Sequence, residues 1–387
     1  MIQINNLENC CGCSVCQSVC PKQAISMKPD ELGFLYPQID LNKCVNCGLC
    51  EKKCPIKKRS ECVDLDKPKL FLAARLKNRE DLLLSSSGGA FWAFAQYVIS
   101  QKGIVVGAEY SEDMSVRHTF AKTLEECEKY RGSKYSQSNI IGVFDKVKTY
   151  LLSGQLVLFT GNPCQCEGLK LYLGKSYDNL ITVDLVCHAV PSPKFFKEYC
   201  EYVSKVFGKT LKSINMRDKA DHGWDHHFSY RYCFKDGSSE IDSPKVSNWG
   251  RIFFSQLVNR PSCHSCRFAN LNRAGDISIA DFWDDDHKRD DVFDAYGTSL
   301  VLLNSENGER FFSRAQSLLN TYEISEKESL QPCLLRPTPR NLRREDFLFF
   351  YNKYGFEKTY KKFFTDSLVT VLKKKIGRYK KKIKAVL

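Results

Sequence analysis

Cys10-Cys11-Gly12-Cys13-Ser14-Val15-Cys16-Gln17-Ser18-Val19-Cys20-Pro21 and Cys44-Val45-Asn46-Cys47-Gly48-Leu49-Cys50-Glu51-Lys52-Lys53-Cys54-Pro55 decide the fold of the first 56 residues. Both follow C-x2-C-x2-C-x3-C-P, the bacterial spacing for a pair of [4Fe-4S] clusters. Short x2 steps let one tight loop reach three iron corners, and the fourth cysteine of each run serves the other cluster. One cluster is therefore expected on Cys10, Cys13, Cys16 and Cys54, the other on Cys44, Cys47, Cys50 and Cys20, with Cys11 spare. Zinc is the competing occupant, but two matched runs each closed by Cys-Pro favour iron and sulfide.

The remaining composition fits an electron-transfer protein. The chain has 387 residues, enough for two or three domains. Its 19 cysteines come with no basic n-region or apolar h-region at Met1–Leu7, so a cytoplasmic, anaerobic setting is expected over a disulfide framework. The net charge is +13, yet from Lys358 onward eleven Lys or Arg face one acid, Asp366. That end carries +10 and leaves +3 for the rest, which argues against a nucleic-acid-binding body.

Beyond a polar linker at 57–68, apolar runs alternate with helical patterns. Strands are expected at Phe71–Leu76, Gly103–Ala108, Leu156–Thr160, Ile181–Val186, Ile277–Ala280 and Ser299–Leu303. Helices are expected at Gly89–Gln101, Thr123–Lys129, Phe144–Leu152, Lys194–Phe207 and Gly308–Leu319, and a hairpin around Lys235-Asp236-Gly237. Four more cysteines stand at expected loops: Cys164, Cys187, Cys263 and Cys266. If they converge they hold a third cluster; the alternatives are zinc or unligated core thiols, with Cys166 as the substitute ligand for Cys164. Cys62, Cys127, Cys200, Cys233 and Cys333 look isolated, and His222, His226 and His227 read as a solvated loop.

The segments Ser85-Ser86-Ser87-Gly88-Gly89, Arg131-Gly132-Ser133-Lys134-Tyr135, GNPCQ (161–165), DLVCH (184–188), MRDK (216–219), RPSCHSC (260–266) and Asp281-Phe282-Trp283 together resemble the coenzyme F420 hydrogenase/dehydrogenase beta-subunit family. The resemblance runs from Cys10 to about Asn304. It implies an iron–sulfur flavoprotein with FAD and a core [4Fe-4S] cluster on Cys164, Cys187, Cys263 and Cys266. The implied fold class is mixed, α+β to α/β: a ferredoxin-like module (1–56), a larger mixed α/β domain (69–345) and a basic helical tail (346–387).

A flavin pyrophosphate needs backbone N–H donors and small residues. By residue type and resemblance, Ser86, Ser87, Gly88 and Gly89, with Arg131, Ser133 and Lys134, are the candidate FAD contacts. Lys134 is further expected to stabilise reduced flavin, and His188 to relay a proton or tune the core cluster. Arg217-Asp218-Lys219 and Asp281-Phe282-Trp283 are pocket candidates without a role. In the tail, Leu368, Leu372, Ile376, Tyr379, Ile383 and Val386 recur at helical spacing among lysines, as in a helix that lies on an anionic membrane face or grips an acidic partner.

The sequence thus predicts an oxidoreductase passing electrons between [4Fe-4S] clusters, FAD and a two-electron carrier, with coenzyme F420 or NAD(P)H as candidate substrates and a ferredoxin or other redox protein as partner. The alternative is a non-catalytic relay subunit docked on another enzyme.

Overall fold

A computed structural model describes residues 2–59, 68–219, 223–224, 229–283, 289, 291–292 and 295–365. The two cysteine runs fold as near copies of each other. In the first, Gly12 (φ 72°) and Ser14 (φ 62°) flank Cys13; in the second, Asn46 (φ 52°) and Gly48 (φ 74°) flank Cys47. This left-handed pair turns the backbone around the central cysteine, and a one-turn helix follows in each, Val15–Ser18 and Leu49–Lys52. The antiparallel strands Ile25–Pro29 and Leu35–Ile39 join the two halves. The helix Pro55–Arg59 carries the module past the expected boundary at residue 56.

The body is built on an eight-stranded sheet. Its order across the sheet is Leu319–Glu323, Leu70–Leu76, Ser299–Leu303, Ile277–Asp281, Leu180–Leu185, Val157–Gly161, Ile104–Tyr110, Val116–Ala121. The four strands from Ile277–Asp281 to Ile104–Tyr110 are parallel, and the flanking pairs are antiparallel. Runs such as Val157-Leu158-Phe159 are fully buried, as strands covered on both faces require. The helices Ala90–Ser100 and Glu306–Ala315 pack together over one part of the sheet, with Phe94 edge-on to Phe311. The helix Pro193–Phe207 starts where the Ser192 hydroxyl accepts from the Phe195 amide and stops at Gly208 (φ 65°). It packs on a second sheet of three strands, Leu211–Asp218, Ser229–Phe234 and Ser239–Ile241.

Two details differ from expectation. Helical structure ends at Leu318, one residue before the expected Leu319, where the strand Leu319–Glu323 begins. Cys164 lies in the first turn of the helix Pro163–Leu173, not in a loop. The first part of the expected helical tail continues the helix Arg344–Phe364, which buries Phe347, Tyr351, Tyr360 and Phe364 against Phe195 and Tyr199. The remainder of the expected tail, from residue 366, lies outside the described residues, as do Cys62, His222, His226 and His227. Among the described residues, no helix is long and apolar enough to cross a membrane.

Candidate functional site: three thiol groups and a cavity

The first thiol group is Cys10, Cys13, Cys16 and Cys54. Burial, together with the neighbouring charge of Cys10 and Cys54, pushes the Cys16 thiol far above its ordinary range, and burial raises Cys54 as well. Cys54 thus lies within reach of the charges of the first run, at Cys10 and Cys16. The second group is Cys20, Cys44, Cys47 and Cys50, which line one small concavity. Backbone N–H groups of Ala24 and Ile2 donate to the Cys20 and Cys50 sulfurs at 3.3 Å each. Cys47 is exposed, so this group opens to the surface.

The third group gathers at the carboxyl ends of the parallel strands, where open α/β sheets leave a crevice. Cys164 follows the strand ending at Gly161, and Asn162 caps its helix through a reciprocal pair with Gln165. Cys187 follows the strand ending at Leu185, and Cys263 and Cys266 come from the turn Pro261–Ser265 and its end. Burial, then the charges of Cys263 and Cys266, push Cys187 up. Cys164 is raised most by its contact with Cys11, then by burial, with Cys187 and Cys266 contributing. Arg273 fixes the segment after Cys266 to the sheet, donating to Asp184 at 2.7 Å and to the Leu185 carbonyl at 2.9 Å; that ion pair is completely buried. Cys166 turns away and points its thiol at the Val183 carbonyl.

Among the described residues, no three His, Cys, Asp or Glu side chains gather tightly enough for a single metal ion. Cluster thiolates instead stand around a body of several irons, and four soft sulfur donors suit iron–sulfur ligation. The residues present therefore fit a cluster at each group. Iron would deprotonate thiols that burial otherwise keeps neutral.

A cavity of about 400 Å³ opens beside the third group, and Cys187 forms part of its wall. Six of the expected flavin contacts line it as well: Ser86, Ser87, Gly89, Arg131, Ser133 and Lys134. His188 lines it too, with Nδ1 3.0 Å from the Cys333 thiol and Nε2 buried without a partner. Cys333 is thus not isolated: it stands beside Cys187 and His188. The Ser133 amide donates to the Ser86 hydroxyl, tying the two expected loops together. Gly89 (φ 82°) starts the helix Ala90–Ser100 with no side-chain cap, so its first amides remain available to an anion.

Other details differ from expectation. Gly88 is not on the wall. A Cβ there would lie 2.2 Å from the Ala74 carbonyl and 2.3 Å from the Ser299 amide, so strand packing demands the glycine. Arg131 stacks over Trp92 at 4.0 Å and pairs with Asp81 at 2.9 Å. Lys134 donates to the Lys129 and Arg131 carbonyls at 2.8 Å, while burial pushes its pKa down to about 7. Arg217 spans from the small sheet to Asp281 at 2.7 Å on the cavity wall. His118 was not foreseen. It lines the cavity from an antiparallel strand, bonds the Thr160 carbonyl through Nε2 and leaves Nδ1 buried without a partner. Its signal, one histidine in VRHTFA, is too common to single out.

No curated protein sequence matches the chain. A solved structure described as "Xenon derivatization of the F420-reducing [NiFe] hydrogenase complex from Methanosarcina barkeri" aligns with a TM-score of 0.45 at 20% identity, covering 77% of this chain and 92% of that one. The 4Fe-4S dicluster domain model matches residues 9–58, and the model for the C terminus of the coenzyme F420 hydrogenase/dehydrogenase beta subunit matches residues 154–327. Residues 154–327 thus carry the C-terminal region of the coenzyme F420 hydrogenase/dehydrogenase beta-subunit family, with an iron–sulfur dicluster domain ahead of it.

Proposed function

We propose that this iron–sulfur electron-transfer protein is a flavoprotein oxidoreductase in which electrons run between the exposed cluster on Cys20, Cys44, Cys47 and Cys50, the cluster on Cys10, Cys13, Cys16 and Cys54, a third cluster on Cys164, Cys187, Cys263 and Cys266, and FAD in the cavity. The observation that carries the reading is the place of Cys187, a member of the third thiol group and of the cavity wall. FAD, when bound, supplies the exchange between one-electron clusters and a two-electron carrier such as coenzyme F420 or NAD(P)H.

The chain's own residues have definable parts in this. The uncapped amides at Gly89–Phe91 and the serines of the 85–87 loop suit a pyrophosphate. Lys219 holds that loop by donating to the Leu82, Ser87 and Tyr296 carbonyls. His188, beside Cys187 on the cavity wall, has an unpartnered Nε2 suited to hold or move a proton for a flavin bound there. A ferredoxin or another redox protein is the partner proposed at the exposed cluster.

The test is anaerobic purification with iron, sulfide and flavin analysis, followed by reduction with F420, NAD(P)H and ferredoxin. About twelve iron per chain, bound FAD and turnover with a soluble carrier are expected. Full iron with no flavin, and no binding of added FAD, would make the chain a relay subunit for another enzyme.

A further inference from the structure

Arg260 is completely buried, and among the described residues no carboxylate forms an ion pair with it. Asp30 feels its charge without reaching it. A buried guanidinium left without a counter-charge is costly, by several kcal/mol. Two of its three nitrogens reach Cys10. Nε donates to the Cys10 carbonyl at 2.7 Å and Nη2 reaches the Cys10 sulfur at 3.6 Å. Nη2 also donates to the Leu35 carbonyl at 2.9 Å, and Nη1 to Gln137 Oε1 at 2.9 Å. Gln137 in turn donates to the Cys11 carbonyl at 2.9 Å. The Tyr36 and Phe34 rings lie 4.4 and 5.3 Å from the guanidinium carbon. Gly12 makes room: a Cβ there would lie 2.6 Å from Nη1, in a backbone conformation that already favours glycine.

We infer that the missing counter-charge is the cluster on Cys10, and that Arg260 is a positioning residue that raises the reduction potential of that cluster. The inference rests on the reading of Cys10, Cys13, Cys16 and Cys54 as one ligand set. An oxidised cubane with four thiolates carries about −2, and one more electron makes it more negative. A fixed cation and an N–H···S bond both stabilise the reduced form more than the oxidised one. Arg260 belongs to the body, three residues before Cys263, whose amide donates to the Arg260 carbonyl at 3.0 Å. The body thereby sets the potential of a cluster in the ferredoxin module. The exposed cluster has no arginine on its sulfurs among the described residues, only the amides of Ala24 and Ile2. The middle cluster becomes the step at which an electron arriving from outside is held.

The experiment is an anaerobic redox titration followed by electron paramagnetic resonance, on wild type, Arg260→Lys and Arg260→Met. In Arg260→Met, one of the two ferredoxin clusters should need a lower potential, with the reduced-to-oxidised ratio at a fixed potential falling about tenfold, or about 59 mV for one electron. The other should not move, and Arg260→Lys should retain part of the shift. Because the variants could fail to fold, wild type labelled with 15N-arginine supplies a second readout. The reduced middle cluster should show hyperfine coupling to an arginine nitrogen. Unchanged potentials in a folded Met variant, or a wild-type middle cluster without that coupling, would overturn the inference. Wild type lacking one ferredoxin cluster altogether would overturn the ligand reading instead.

Discussion

The Cys11 thiol meets the Cys164 thiol, so the residue left spare by the ferredoxin spacing touches the third thiol group. It also contacts Cys13, a member of the first group. Cys11 therefore lies between two candidate ligand sets separated by about 150 residues of sequence, and with a cluster on each it would offer a short path between them. Cys11→Ala should leave iron at about twelve per chain and slow transfer between the ferredoxin clusters and the core. Stopped-flow reduction from each side would show it. Loss of about four iron would instead make Cys11 a ligand.

Cys263→Ser should remove about four iron, because it deletes one of four ligands of the third cluster. The two ferredoxin clusters should keep their signals, since none of their cysteines is touched. Retention of all the iron in the variant, or wild-type protein holding about eight iron with zinc in the remaining site, would sink the third cluster.

Gly88→Ala should damage the fold, not the flavin site alone. Its Cβ would press on backbone atoms of two strands, Leu70–Leu76 and Ser299–Leu303, which have no flexible side chain to yield. A cost of about 3 kcal/mol or more follows, read as a lower thermal midpoint in the flavin-free protein. Lys134→Met, in contrast, should keep FAD and slow its reduction.

How much of this could be read from the sequence depends on how local the cause is. The dicluster domain was legible because the C-x2-C-x2-C-x3-C-P spacing is specific and local. The parallel strands were legible because runs such as Val157-Leu158-Phe159 are short, apolar and buried on both faces. Leu319–Glu323 was not, since only pairing with Leu70–Leu76 makes that polar edge a strand. Arg260 and His118 were not, because their partners are the Cys10 and Thr160 carbonyls, distant atoms without a residue signature. The need for glycine at Gly88 also comes from the Ala74 carbonyl and the Ser299 amide, a requirement with no local sequence signal.

Burial holds His118 at a pKa of about 4, below its ordinary 6.5. The folded state thus binds its proton less tightly than the unfolded chain does. Stability from this residue is complete above pH 6.5 and is lost as pH falls toward 4, amounting to about 3 kcal/mol across that window. His118→Gln should flatten the fall in thermal midpoint between pH 6.5 and 4.5. An unchanged slope would mean that His118 takes up its proton without cost in the folded protein.

The last prediction concerns the exposed cluster. Leu41 and Val45, 70% and 59% exposed, flank Cys44 and Cys47, and Lys22, Lys43 and Lys52 are exposed around them. Glu51 is engaged by Lys57, and Asp40 lies 3.5 Å from Lys43. An apolar spot with a mostly basic rim beside an exposed thiol suits an acidic one-electron carrier, and oppositely charged surfaces speed encounter more than they add affinity. Reduction by an acidic ferredoxin should therefore slow steeply as ionic strength rises past about 0.1 M, where the screening length falls to about 10 Å. Lys43→Glu with Lys52→Glu should cut the second-order rate by about tenfold at low salt. Iron content and the midpoint potentials of the other clusters should stay unchanged. A rate indifferent to both salt and charge reversal would place the port elsewhere on the molecule.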